Sequence, residues 1–372
     1  MSKVGLMTCY MDNFGACLQA YALLTVITDL GYNCEIIKYT PIKSLKEYGI
    51  FISLARWVRR RVKAIKNTAY KYGNYRHSEF KKFRKKYLKF SKENYLHERY
   101  LYETAPQYDI YVAGSDQIWN PNLYGGRINK AYFLDFVQDN AKRVAYAPSI
   151  GTSEISADSS KEMTKLLAKF DAVSVREIDG KRIIDKIFDR GCSVVLDPTL
   201  LIDAERWKSM IGERIISENY IFVYLFGNRD YERTFIGYAN KSLNLKIVTI
   251  PFHDKEYNSN FTKIKKAGPI EFLNLIRYAS LVITDSFHAT AFSLNLNVPF
   301  YTLLRNDESD KNNMNSRMIS ILSLVDKQDR LVAGVDSFPE NIVLNLNFEY
   351  VNGKISELRK DGLEFLSKNL NK

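Results

Sequence analysis

The sequence predicts an α/β protein of two doubly wound domains facing a cleft, and three observations carry that expectation. At 372 residues the chain is long for one hydrophobic core and suits two domains of ordinary size. Short apolar runs recur along it, each ending in a loop of small or polar residues, as parallel strands do at their carboxyl ends. Between these runs, apolar residues return at steps of three and four, the spacing of amphipathic helices.

Taken in order, Lys3 to Thr8 reads as the first strand, followed by the turn Asp12-Asn13-Phe14-Gly15. Leu18, Tyr21, Ala22, Leu24 and Ile27 then mark a helix that Gly31 is placed to end. Asn33 to Tyr39 is the second strand and completes a β-α-β unit. A basic helical insert follows at about 45–100. In it, Phe51, Leu54, Val58, Val62 and Ile65 form an apolar stripe with Arg56, Arg59, Arg60 and Lys63 between them, and a second basic helix is expected over Ser78 to Phe90. Alternation resumes with strands at Tyr108–Ala113, Arg143–Ala147, Ala172–Val175 and Ser193–Leu196, and a helix at Ser160–Phe170. These close a first domain over 1–200. Leu201 to Asn219 is charged and reads as the interdomain connection. The second domain, 201–353, has strands at Tyr220–Phe226, Leu245–Ile250, Leu281–Thr284 and Pro299–Leu303. A final helix within 354–372 is expected to pack back on the first domain.

Composition narrows the classes. The hydrophobic fraction of 46% and charged fraction of 26% are those of a soluble globular protein. The start of the chain reads as lacking a secretory signal, and no run of about 18 or more uncharged apolar residues suggests a spanning helix. Cys9, Cys17, Cys34 and Cys192 have no C-x-x-C spacing, so reduced buried thiols of a cytoplasmic protein are expected and no metal site is. The net charge of +12 is concentrated: Phe51 to Phe90 holds fourteen Lys or Arg against the single acid Glu79. Nucleic acid would fit such charge, yet the chain has no recognised nucleic-acid motif. Phe51, Leu54, Trp57 and Val58 beside the cations fit a helix lying on an anionic membrane surface.

The richest motif is Thr284-Asp285-Ser286-Phe287-His288, where a strand hands over to a helix. Asp285 or Ser286 is a natural N-cap. His288 then lies in the first turn, among free N–H groups that suit phosphate or carboxylate. A bound anion would favour the imidazolium there, which suits a general acid. The opposing reading is a core histidine bonded to a neighbouring strand. Gly114-Ser115-Asp116-Gln117 with Trp119 places a carboxylate, an amide and an indole at a strand's carboxyl end, the groups that bind and stack on sugars; capping and core packing are the plainer roles. Arg176 ends an apolar strand, where a cation is costly unless it holds an anion or a carboxylate such as Glu177. Arg305 and Arg317 follow the last strand of the second domain and are expected at the same cleft. Neither a dinucleotide fingerprint nor a P-loop is present.

Five stretches, DNFGACLQAYAL, YDIYVAGSDQIWNP, VSVREIDG, DPTLLI and TDSFHATAFSLNLNVPF, lie in order over nearly all the chain. Together they resemble the polysaccharide pyruvyl transferase family. The resemblance implies two Rossmann-like domains facing a cleft, similar to the GT-B glycosyltransferases. It also implies transfer of the pyruvyl group of phosphoenolpyruvate onto two hydroxyls of a sugar, giving a ketal and phosphate, with no cofactor beyond the donor. The family's histidine falls on His288, as catalytic acid, and its domain-one arginine on Arg176. Where some members carry a second arginine, this chain has Ser286, beside Phe287, so Arg305 and Arg317 are the expected substitutes on the phosphoenolpyruvate side. Asp116 is expected to accept a hydroxyl proton, with Asn13, Ser115, Gln117 and Trp119 on the acceptor side. A lipid-linked oligosaccharide acceptor would place the enzyme at the inner face of the plasma membrane. A GT-B glycosyltransferase using a nucleotide sugar and a non-catalytic membrane-associated glycan-binding protein are the rival readings.

Overall fold

Every strand among the described residues is parallel to its neighbours, and the two sheets repeat one winding. The computed structural model describes residues 1–41, 68–138, 141–253, 256, 258–306 and 315–371. Its first sheet comprises β1 (Lys3–Met7), β2 (Asn33–Tyr39), β3 (Phe90–Tyr95), β4 (Ile110–Ala113), β5 (Lys142–Ala145), β6 (Ala172–Val175) and β7 (Ser193–Val194). The second comprises β8 (Tyr220–Tyr224), β9 (Lys246–Thr249), β10 (Thr262–Lys263), β11 (Leu281–Thr284), β12 (Phe300–Leu303) and β13 (Leu331–Val332). Strand order is β3-β2-β1-β4-β5-β6-β7 in one and β10-β9-β8-β11-β12-β13 in the other. Both therefore reverse direction after their first strand, leaving a crevice between β1 and β4 and another between β8 and β11. β4, β8, β11 and β12 are buried at every position, as sheets covered on both faces require.

The helices are α1 (Phe14–Asp29), α2 (Thr68–Tyr87), α3 (Glu98–Glu103), α4 (Ala157–Leu167), α5 (Ile178–Ile187), α6 (Pro198–Leu201), α7 (Ala204–Met210), α8 (Asp230–Leu243), α9 (Pro269–Arg277), α10 (Phe287–Asn295), α11 (Ser316–Leu324) and α12 (Phe348–Leu370). α10 is buried at all nine positions and has no polar face, because it lies between the two halves of the molecule. The side-chain amide of Asn295 donates to Thr199 O and Ile202 O, and Phe292 meets Trp207 edge-on. At the other end of this interface Phe14 stacks on Phe272, with centroids 4.7 Å apart, and also touches Phe80 and Tyr224. One continuous core runs through both sheets. α12 crosses back to the first sheet: Arg359 donates to Leu200 O, and Tyr146 contacts Phe365.

The basic region differs from its expectation. The amphipathic stripe from Phe51 to Ile65 lies outside the described residues. The helix expected over Ser78–Phe90 instead spans Thr68–Tyr87, and Phe90 opens β3, an edge strand. Phe80 and Phe83 explain the outcome: they are buried, against Phe14 and Tyr21. α2 is thus the crossover from β2 to β3, its apolar stripe used in the core and Lys81, Lys82, Lys85 and Lys86 left outward. It also bridges the halves, since Arg76 donates to Pro251 O across 2.8 Å. The connection after Leu201 is likewise not a loose linker: fully buried Trp207 donates to Thr199 O and packs on Tyr21. A charged surface pattern concealed one large anchor.

Candidate active site

Asp197 is the centre of the site. It caps α6, where its Oδ1 accepts from the Thr199 N–H and hydroxyl at 3.0 and 2.7 Å. The following Pro198 is at home in a first helical turn. Its Oδ2 accepts from Arg176 Nη1 at 2.7 Å and lies 3.6 Å from His288 Nε2, a charge neighbour rather than a hydrogen bond. Burial by itself would raise the Asp197 carboxyl, but His288, Arg176 and the Thr199 N–H outweigh it and hold it well below the usual carboxylate range. One buried carboxylate thus orients a cation from the first sheet and an imidazole from the second.

Arg176, at the end of β6, is 3% exposed. Its guanidinium sits 4.1 Å above the ring of Phe287, and its Nε and Nη2 have no hydrogen-bond partner. Asp116 Oδ1 stands 3.7 Å from Nη2. The carboxylate expected to hold Arg176 was Glu177, but Glu177 Oε2 is 3.9 Å away and unbonded. Glu177 Oε1 accepts instead from the Ser149 hydroxyl and the Ile150 and Gly151 N–H groups, pinning the loop after β5.

On the facing sheet, Ser286 caps α10 by accepting from Ala289 N, and His288 follows in the first turn, its Nε2 unbonded. The other side of the imidazole abuts α1. A Cβ built on Gly15 would fall 1.9 Å from His288 Nδ1, so only glycine at position 15 lets the ring sit there. Asp285 is turned away from the helix. It accepts from Phe226 N and Gly227 N at 2.8 and 2.6 Å and from Arg305 Nε at 2.8 Å. Arg305 is therefore largely committed to Asp285. Arg317, at the start of α11, is the freer cation: it is buried, no hydrogen bond or ion pair reaches it among the described residues, and its Nε is unpartnered. Burial, then repulsion from Arg176, pushes its guanidinium down to about 10. Two buried guanidinium groups that repel one another and retain free N–H groups form a receptor for a multiply charged anion.

The acceptor-side residues divide. Asp116 is half-buried beside Arg176 and adopts φ 68°, a left-handed conformation that aspartate tolerates. Ser115 is fully buried, donating to Ala147 O, with its N–H on Gln19. Trp119 is a core residue stacked on Phe133 at 4.5 Å, its indole N–H on Tyr132 O, and offers no sugar platform. Gln117 accepts from the Asn120 amide, and Asn13 caps α1 by accepting from Ala16 N. These four brace the loops from which Asp116 projects. The residues that sequence reading missed are Asp197 and Gly15. Asp197 follows β7 in the loop past its carboxyl end, as Arg176 follows β6, and that placement was the available signal.

The family model for polysaccharide pyruvyl transferase matches residues 13–307. No curated protein sequence matches significantly. Among solved structures, a protein from Listeria monocytogenes assigned as a UDP-N-acetylglucosamine 2-epimerase superposes with TM-score 0.52 at 9% identity, over 99% of this chain and 91% of that one. The UDP-GlcNAc 2-epimerase of Neisseria meningitidis gives 0.47 at 10% identity, over 99% and 100% of the two chains. The E. coli heptosyltransferase WaaC gives 0.37 at 13%, over 84% and 95%. The two parallel sheets facing one another, with the superposition on the Listeria protein, make the architecture GT-B-like.

Proposed function

Because the chain belongs to the polysaccharide pyruvyl transferase family, and its enzymatic role is accordingly in polysaccharide pyruvylation, we propose that it transfers the pyruvyl group of phosphoenolpyruvate to two hydroxyls of one sugar as a ketal, releasing phosphate. The observation that carries this reading is the pair of Arg176 and His288 on Asp197 with Arg317 beside Arg176, all three buried and each with a free N–H or ring nitrogen. Arg176, Arg317 and the N-terminus of α10 would hold the donor's phosphate and carboxylate. His288 would deliver a proton to the methylene carbon, leaving C2 with oxocarbenium character. A sugar hydroxyl attacks C2 as Asp116 accepts its proton; phosphate then departs with that proton, and the second hydroxyl closes the ketal as its proton returns to His288. Asp197 keeps the imidazole turned toward the donor. His288 is 7% exposed and Arg176 3%, so the facing sheets must part to admit a sugar.

The acceptor we propose is a lipid-linked precursor of a cell-surface polysaccharide, met at the inner face of the plasma membrane. No helix among the described residues is long and apolar enough to cross a membrane. The outward lysines of α2 supply charge for an anionic surface, while its own apolar stripe is occupied in the core.

The test is to incubate the protein with phosphoenolpyruvate and lipid-linked glycans and to follow free phosphate and acceptor mass beside His288→Ala. An acceptor heavier by one pyruvate ketal, formed by the wild type and not by the variant, is expected. Release of a nucleoside diphosphate from a sugar nucleotide, without phosphate from phosphoenolpyruvate, would overturn the reading in favour of glycosyl transfer.

A further inference from the structure

A second recess lies within the second domain, apart from the cleft. It measures about 280 Å³ and is lined by α8, the ends of β8 and β9 and the loop after β9. None of the cleft residues described above lines it. Leu225, Ile236, Ile247 and Phe261 give it an apolar wall, Asn240, His253 and Ser259 a polar one, and between them is set the carboxyl of Glu232. Glu232 is 1% exposed. One of its oxygens accepts from Arg229 N at 2.8 Å; the other, Oε1, is buried without any hydrogen-bond partner. A Cβ on Gly227 would fall 2.2 Å from Oε1, so glycine there is what admits the carboxyl. Glu256 adds a second carboxylate to the same lining, with one oxygen on the N–H groups of Phe252 and His253. Burial, then the charge of Asp285, pushes the Glu232 carboxyl up to about 7.

A buried acceptor left unmet is costly, and a ligand donor is the natural relief. The complement of two carboxylates in such walls is a small flat molecule with adjacent N–H donors on one edge. A primary ammonium would lose strong hydration on entry, whereas a delocalised N–H edge loses less. The volume holds a purine ring with its sugar toward the mouth, where exposed Arg233 stands. We propose that this recess is a second ligand site, for a guanine-type nucleoside or nucleotide, whose N1–H and exocyclic amine bond to Glu232 and Glu256. Gly227 forms part of its wall and belongs to the turn that Asp285 grips while holding Arg305 at the cleft. The site is independent of the pyruvyl reading, and its failure would leave that reading untouched.

Isothermal titration of the full chain with guanosine, guanosine 5′-monophosphate, inosine and benzamidine tests the assignment. Guanosine should bind at one saturable site, and inosine, lacking the exocyclic amine, about tenfold more weakly. Glu232→Gln, which removes an anionic acceptor, should weaken guanosine by about tenfold as well. Gly237 lines the recess, and nothing stands within 4 Å of a Cβ there, so Gly237→Leu should fold normally and abolish binding by filling the space. Absence of saturable binding by all four probes would overturn the proposal. So would guanosine binding that survives both variants, or that is lost instead in Arg317→Met, which would put the nucleoside in the cleft.

Discussion

The two sheets wind identically, yet their carboxyl edges carry opposite kinds of electrostatics. The first sheet presents side-chain charge: Asp116, Arg176, Glu177 and Asp197 at the ends of three strands, bound into one buried network. The second presents almost none at its centre. α10 offers backbone N–H groups and a single imidazole, and its neighbour Asp285 is spent on Arg305 and two backbone N–H groups. What the difference teaches is a division of labour. The charged edge fixes geometry, because buried ions hold each other at defined distances, and the uncharged edge leaves an imidazole whose proton can move.

Breaking the first half of that contrast should produce the largest effect. Asp197→Asn keeps the shape but leaves Arg176 and His288 facing a neutral amide. Loss of one partner of a buried ion pair costs about 3–5 kcal/mol of stability, read by urea denaturation. Phosphate release from phosphoenolpyruvate should fall by about 10²–10⁴-fold. Full activity in the variant would mean that His288 needs no anchor in the first sheet.

The second half is tested from α1. Gly15→Ala drives a methyl group into the imidazole of His288, whose Nδ1 lies 1.9 Å from the Cβ position. The methyl overpacks a buried ring, so the melting temperature should fall by a few degrees while the fold is kept. Displacement of the ring by about 1 Å should lower kcat about a hundredfold. An unaltered kcat would remove His288 from the proton-transfer step.

Arg317 sharpens the comparison by separating stability from function. It is a buried cation with no partner among the described residues, so Arg317→Met should leave stability equal or higher. If its N–H groups serve a bound anion, the KM for phosphoenolpyruvate should rise about tenfold. A fall in stability with unchanged KM would make Arg317 a structural residue.

Much of this was legible in the sequence, for physical reasons that differ by element. β4 and β11 were found because strands buried on both faces are continuous apolar runs, and His288 because a helix start after such a run is a known anion site. β3 was missed because an edge strand, Phe90 to Tyr95, carries four polar residues in a row between two aromatics and follows a basic stretch. Trp119 was misread because an indole beside polar neighbours resembles a sugar platform, and only its packing on Phe133 decides otherwise. Asp197 went unassigned because its role depends on Arg176 and His288 arriving from other elements, a relation no local spacing encodes. Gly15 belongs to the same class, since its necessity is the shape of a residue 273 positions away.

Glu232 lies in the second domain away from the cleft residues, and it yields the smallest effect. Its carboxyl is pushed up to about 7, first by burial and then by Asp285. A carboxyl raised in the folded state favours folding most where it is protonated in both states, below its ordinary value near 4.5. That contribution is lost as pH climbs through about 7, where the folded protein must bury a charge that the unfolded chain leaves in water. Glu232→Gln keeps an acceptor for Arg229 N and removes the ionisation. The variant should therefore melt within about a degree of the wild type at pH 5 and a few degrees above it at pH 8. Guanosine should narrow the gap at pH 8 by stabilising the wild type more than the variant, because the ionised carboxylate is the stronger acceptor for its N–H edge. A gap independent of pH would mean that Glu232 is ionised throughout, and that the second domain tolerates a buried charge as readily as the first.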